Sequence, residues 1–140
     1  MEIIELKNST QLKQGFTILK ELRPKLTFQD YLDLYNKASD RDSFCLVGVF
    51  EKNHCTAVMG YRILYDFVHG KHLYIDDLVV SEQYRSKGTG TQLLNYAEKI
   101  AKKNHCAGLR LCTGIDNHLA KKFYERNNWL AKSIAFKHSL

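Results

Sequence analysis

The chain has 140 residues, 44% of them apolar, which is long enough to bury one core without help from metals or disulfides. Its formal charge of +6 points to an anionic partner, but the lysine pairs at 102–103 and 121–122 are too isolated for the basic, aromatic-studded stripe that nucleic acid requires. With no opening leader, no apolar run near the roughly 20 residues of a membrane span, and Cys45, Cys55, Cys106 and Cys112 standing singly, the expectation is a cytoplasmic, metal-free protein forming one domain over residues 1–140.

In chain order, Glu2 to Leu6 reads as a short strand, and the following Asn-Ser-Thr offers hydroxyls to cap a helix. That helix carries Leu12, Phe16 and Leu19 at helical spacing and stops at Pro24. A second helix starts at Thr27, with Asp30 at capping-box spacing and a stripe of Phe28, Tyr31, Leu32 and Tyr35. Two β-rich runs, FCLVGVFE and CTAVMGYRILYDF, are split by the polar KNH, and VHGK turns the chain into HLYIDDLVV, so three strands form a meander. Both Asn-His-Cys triplets, at 53–55 and 104–106, read as polar turns entering strands and not as zinc ligands.

A helix beginning near Thr89 to Thr91 places Leu93, Leu94, Ala97, Ile100 and Ala101 on one face. AGLRLCT follows as a strand, HLAKKFYERN as a helix and LAKSIAFKHSL as a last strand. The order β-α-α-β-β-β-α-β-α-β implies an α/β fold, a mixed and mostly antiparallel central sheet with helices on both faces.

The segment SEQYRSKGTG (81–90) joins a strand to a helix. The first N–H groups of a helix lack intrahelical partners and carry the positive end of its dipole, so this is a favourable place to hold phosphate. Gly88 and Gly90 let the backbone approach a ligand, and Arg85 and Lys87 supply charge. Neither G-x-x-x-x-G-K-[ST] nor G-x-G-x-x-G is present; what stands here is R-x-x-G-x-G.

Set after LYIDDLVV, this hexapeptide resembles motif A of the GNAT superfamily of acyl-CoA N-acyltransferases, [QR]-x-x-G-x-[GA], and NHLAKKFYERNNW (117–129) resembles its motif B. The element order is similar to that family's over nearly the whole chain. The resemblance implies a GNAT fold and acetyl-CoA as cosubstrate. By it, the backbone of Leu78, Val79 and Val80 would meet the pantetheine arm, and Arg85, Ser86, Lys87, Gly88, Thr89, Gly90 and Thr91 would wrap the pyrophosphate. Asn117 would contact the pantetheine, and Tyr124 would stand near the sulfur. Read without the family, Leu78 and Val80 are core, Asn117 a helix cap and Tyr124 packing beside Phe123.

Acyl transfer to a primary amine by direct attack in a ternary complex needs a base, a polarised carbonyl and a proton for the thiolate. Tyr124 is the candidate acid, and a backbone N–H near Leu78 or Val79 the oxyanion donor, with the apolar run Leu78–Val80 compatible with a bulge there. Asp76 and Asp77 interrupt an apolar strand and, by strict alternation, face opposite ways. Asp76 is preferred as base, because the segment is similar to the I-Y-L-E-D of polyamine acetyltransferases, whose Glu is a proposed base. The paired acids favour a cationic small molecule or a peptide or protein amine as acceptor. His72 and Tyr65 read as packing or surface.

The chain departs from the family pattern at Ser86, where Gly is frequent, and at Asn128–Trp129, where Gly-Phe is frequent; Asn128 can still take the left-handed conformation that ends a helix. Only 12 residues follow that helix, room for one strand where many members have two, so an open cleft or a homodimer covering it is expected. The alternative reading is a non-catalytic acyl-CoA-binding or sensing module.

Overall fold

The computed structural model describes residues 1–140. The chain divides into two compact units, Met1–Arg110 and Leu111–Leu140. The first holds strands β1 (Glu2–Glu5), β2 (Cys45–Glu51), β3 (His54–Asp66) and β4 (Gly70–Val80), and helices α1 (Ser9–Leu22), α2 (Phe28–Arg41) and α3 (Thr89–Lys103). Strand β5 (Gly108–Leu111) lies at the division, and helix α4 (His118–Arg126) belongs to the second unit. None of the helices is long and apolar enough to cross a membrane.

The helices begin and end where local chemistry directs. Asn8 caps α1, its Oδ1 accepting from Gln11 N–H while Gln11 Oε1 accepts from Asn8 N–H. The amide, not the neighbouring hydroxyls, thus closes a full capping box. Thr27 caps α2 by accepting from Asp30 N–H, and α1 stops at Leu22 ahead of Pro24. Helix α3 starts at Thr89, and Asn128 takes φ +68 beyond the end of α4, as its residue type allows.

The sheet order is β1-β2-β3-β4-β5, with the first four strands antiparallel neighbours. Lys52 and Asn53 both have positive φ in the turn between β2 and β3, the twist-matched geometry of a tight hairpin. Helix α3 makes β5 a crossover strand and so parallel to β4. Ala107 N–H bonds the Lys71 carbonyl at 2.7 Å, which places the four residues of β5 beside the beginning of β4, and the Asp76–Val80 stretch runs on past them.

Helices α1 and α2 cover one face of the sheet through a core of Leu6, Leu12, Leu19, Tyr31, Leu46 and Val79, with Phe16, Phe28 and Tyr35 packed against it. Two tyrosines are tied into this layer by their hydroxyls: Tyr31 donates to the Leu12 carbonyl at 2.7 Å, and Tyr35 to the Leu6 carbonyl at 2.9 Å. Each such bond adds about 1 kcal/mol net. More important is that neither of these two hydroxyls is left without a partner.

The β3–β4 ladder contains one irregularity. Gly60 pairs with Asp77 and Tyr61 with Ile75, so Asp76 is the extra residue of a β-bulge. The bulge lies two residues before the Leu78–Val80 run where the sequence placed it, because an apolar run marks burial and not register. Gly60 is required opposite it, since a Cβ there would lie 2.6 and 2.8 Å from two ring atoms of Phe44.

The last strand expected from LAKSIAFKHSL does not form: residues 130–140 have no regular structure, and Leu130, Ile134 and Phe136 are exposed. Alternation marks which side chains a strand could bury. It does not provide the neighbouring ladder a strand needs for its N–H and C=O groups.

Gly60→Ala should lower the unfolding free energy by about 1–3 kcal/mol through overpacking against Phe44. Urea denaturation measures this, and an unchanged midpoint would show that Phe44 yields freely.

Candidate functional site

Because of the bulge at Asp76, strict alternation fails and Asp76 and Asp77 both line one pocket, contrary to the opposite-facing arrangement that regular pleating gives. The pocket has a volume of about 850 Å³ and lies between the α1–α2 layer and the middle of β3 and β4. Its wall is mostly apolar, with Leu22, Leu26, Leu34 and Phe44 among the lining residues. A concave apolar site with a few converging polar groups is the usual form of a small-molecule site.

Each acid is clasped by an arginine. Arg62 on β3 donates from Nε to Asp76 Oδ2 at 3.0 Å and from Nη2 to Oδ1 at 2.8 Å, and its Nη1 lies 3.8 Å from Asp42. Arg23, the C-cap of α1, donates from Nε and Nη2 to the single oxygen Asp77 Oδ1 at 2.9 and 2.6 Å. Burial pushes the Asp76 carboxyl above its ordinary range, the hydrogen bonds and charge of Arg62 draw it back, and Asp77 adds a further push upward. The net direction is up. Both acids are therefore already paired, which removes the simple argument that two free carboxylates attract a cation.

Neither arginine was found from the sequence. Arg62 carried a signal, being a charged residue in an apolar strand whose pairing, counted back from the VHGK turn, puts it opposite Tyr74. For Arg23 no local pattern exists, since its partner is 54 residues away.

On β4, His72 is buried, not at the surface; its Nδ1 bonds the Gly70 carbonyl at 2.9 Å and its Nε2 accepts from Arg110 Nε at 2.9 Å. Arg110 stacks on Tyr74 with its Cζ 4.5 Å from the ring centroid, and Arg62 approaches the same ring at 5.7 Å. Tyr65 is exposed.

At the far end of β4 the chain passes through a 3₁₀ turn, Glu82–Tyr84, into α3. Glu21 of α1 fixes the entry, accepting from the Ser81 hydroxyl at 2.9 Å and from Glu82 N–H at 3.0 Å. This anchor, too, was invisible in the sequence. Gly88 is the N-cap of α3 in the left-handed region, φ +81, with no side-chain cap bond and open space where a Cβ would stand. The first intrahelical bond runs from Gln92 N–H to the Gly88 carbonyl. The N–H groups of Gly88, Thr89, Gly90 and Thr91 consequently have no intrahelical partner.

Ser86 takes φ +63, so a non-glycine residue does adopt the special conformation at that place. Arg85 folds back, its Nε donating to the Val80 carbonyl at 3.0 Å, which occupies one acceptor site of that carbonyl and leaves the Nη groups for an anion. Lys87 lies 5.4 Å from the centroid of the Tyr84 ring. Val79 is buried, and Leu78 and Val80 are half-buried. Free amides, a positive helix end and two cations form a donor set that fits a pyrophosphate.

In the second unit, Asn117 caps α4, its Oδ1 accepting from Ala120 N–H at 3.0 Å. Its Nδ2 is not used in the cap. Tyr124 packs between Phe123, with ring centroids 5.1 Å apart, and Trp129, at 5.9 Å. Burial pushes its phenol up to about 12. The four cysteines are free thiols, and burial raises Cys55 to about 11.

Residues 10–129 match the family model described as the acetyltransferase (GNAT) family. The chain is 30% identical over 134 residues to an uncharacterized N-acetyltransferase, YhdJ, of Bacillus subtilis, covering 95% of this chain and 94% of that one. Among solved structures, the aminoglycoside N-acetyltransferase AAC(6')-Iy in complex with CoA superposes with a TM-score of 0.87 at 16% identity, over 99% of this chain and 93% of that one. Glucosamine-6-phosphate N-acetyltransferase of Arabidopsis thaliana gives 0.78 at 23% identity, over 99% and 97%.

Replacing Arg62 with Gln should move the Asp76 titration to higher pH, because the groups that draw it down are lost while burial remains. A carboxyl-carbon NMR titration of both proteins reads this, and a downward or absent shift would contradict the assignment of causes.

Proposed function

The chain belongs to the acetyltransferase (GNAT) family, and on that footing we propose that it transfers an acetyl group from acetyl-CoA to a primary amine by direct attack while both are bound. The observation that carries this reading is the segment Val80–Thr91, where a strand that outruns its β5 neighbour feeds a left-handed glycine and a helix with four unsatisfied N–H groups. Those amides, with Lys87 and the Nη groups of Arg85, would hold the pyrophosphate. The unpaired edge at Leu78 and Val79 would meet the pantetheine arm, and Asn117 Nδ2 would add a donor to it.

Bound acetyl-CoA supplies a thioester carbonyl: the amine nitrogen forms the new C–N bond, the C–S bond breaks, and the products are an amide and the CoA thiol. Asp76 takes the proton that the amine must lose. Its raised pKa makes it a stronger base than an ordinary carboxylate, and Arg62 limits how far. A backbone N–H at Leu78 or Val79 stabilises the oxygen as charge develops on it. By the family's motif B, Tyr124 would stand near the sulfur. A phenol raised to about 12 stays protonated throughout the neutral range, so Tyr124 still holds its proton when the C–S bond breaks, passes it to the departing thiolate to give the thiol, and regains one from solvent.

The pocket beside Asp76 receives the acceptor. Solved proteins of similar fold act on aminoglycosides and on glucosamine 6-phosphate, both amines. The bidentate Arg62 clasp on Asp76 is the one observation favouring a module that binds acyl-CoA without turning it over, since it occupies the base.

Turnover decides between the two. With acetyl-CoA and an accepted amine, free CoA thiol should accumulate, and Tyr124→Phe should lower kcat about a hundredfold with acetyl-CoA affinity by calorimetry unchanged; an unaltered kcat would remove Tyr124 from the mechanism. Activity should rise with pH through the Asp76 pKa, because the base must be unprotonated. Asp76→Asn should abolish that acid limb along with most of the rate, and a profile that kept its shape would assign the limb to another group.

A further inference from the structure

From the charge pattern of the pocket we infer that the acceptor is a free α-amino acid with a large apolar side chain; this rests on the N-acetyltransferase reading above. Three cationic residues line the pocket, Arg23, Lys25 and Arg62, against three acidic ones, Asp30, Asp76 and Asp77. In a chain of net charge +6, this pocket is neutral. A polycationic amine would find no excess of negative charge there, and it would have to displace arginines already bonded to both acids at 2.6 to 3.0 Å.

The Arg23–Asp77 pair has the opposite virtue. Arg23 spends both its Nε and Nη2 on Asp77 Oδ1, and neither its Nη1 nor Asp77 Oδ2 takes part in that pair. Half of the Arg23 side chain is exposed, and Lys25 stands two residues on with no ion pair of its own. Spare guanidinium donors and a spare carboxylate oxygen lining one pocket are complementary to a molecule whose carboxylate and ammonium sit on one carbon. The carboxylate would bind Arg23 and Lys25, and the ammonium would lie over Asp77 with Asp76 beside it to take its proton.

The rest of the wall is apolar. Leu34 and Leu22, both lining residues, remain 59% and 37% exposed, and a large apolar side chain would cover them. The products would be the N-acetyl amino acid and CoA.

The test is a panel of phenylalanine, leucine, tryptophan and methionine, their decarboxylated amines, and the polycations spermidine and neamine. Each is assayed for CoA release with the wild type and with Arg23→Gln and Lys25→Gln. The inference expects phenylalanine to exceed phenethylamine in kcat/KM by about tenfold or more, the worth of one charged hydrogen bond. It expects each variant to reduce that ratio by raising KM for phenylalanine more than for phenethylamine. A polycation as best substrate, equal rates for phenylalanine and phenethylamine, or no turnover of any amino acid by a protein that acetyl-CoA stabilises in a thermal melt would overturn it and leave the family reading intact. No turnover and no stabilisation by acetyl-CoA would remove both. Lys25→Gln, at an exposed position, keeps the test decisive if Arg23→Gln fails to fold.

Discussion

The pocket floor depends on a single register slip in the β3–β4 ladder. With regular pleating, Asp76 and Asp77 would point to opposite faces, one of them into the layer beneath α3. The extra residue at Asp76 restarts the alternation, so both carboxylates reach the same wall. Two adjacent, half-buried acids repel each other and are poorly solvated. Arg62 and Arg23 offset both costs, and they come from different elements, one from β3 and one from the end of α1. Gly60 then provides the space in which Phe44 closes the pocket beside the bulge. The bulge, the two ion pairs and one missing side chain form a connected arrangement in which each part needs the others.

Strand β4 links this pocket to the start of α3 in the first unit. Its middle holds the carboxylates, and its last residue feeds the turn into α3, which Glu21 pins to α1. The two ends differ in kind. The α3 end offers mainly backbone amides behind a glycine in the left-handed region, groups that hardly depend on residue type. The pocket end is built from side chains, and those of Arg23, Lys25, Leu22 and Leu34 can change without disturbing the amides. A shared donor and a variable acceptor follow from that division of labour.

Much of the architecture was legible in the chain as written. The cap at Thr27, the apolar stripes of α1, α2 and α3, the stop at Pro24, the hairpin turns and the glycine-bearing entry to α3 all appear where the sequence places them, and the α1 cap falls within Asn-Ser-Thr on the amide of Asn8 and not on a hydroxyl. These features depend on neighbours within about four residues, a distance over which pattern and structure coincide. The tail was misread for the same reason. Its alternation is local and real, but a strand exists only with a partner ladder, and residues 130–140 have none.

What the sequence by itself determined was the family and the strand–turn–helix with its left-handed glycine, because both are contiguous motifs whose chemistry lies in the backbone they impose. Tertiary structure alone decided the position of the bulge, the pairing of Asp76 with Arg62 and of Asp77 with Arg23, and the neutral, apolar character of the pocket. Those outcomes hang on contacts between residues up to 54 positions apart. Register and ion pairing over such distances are settled by which packing leaves the fewest buried groups unsatisfied, and no short stretch of residues carries that information.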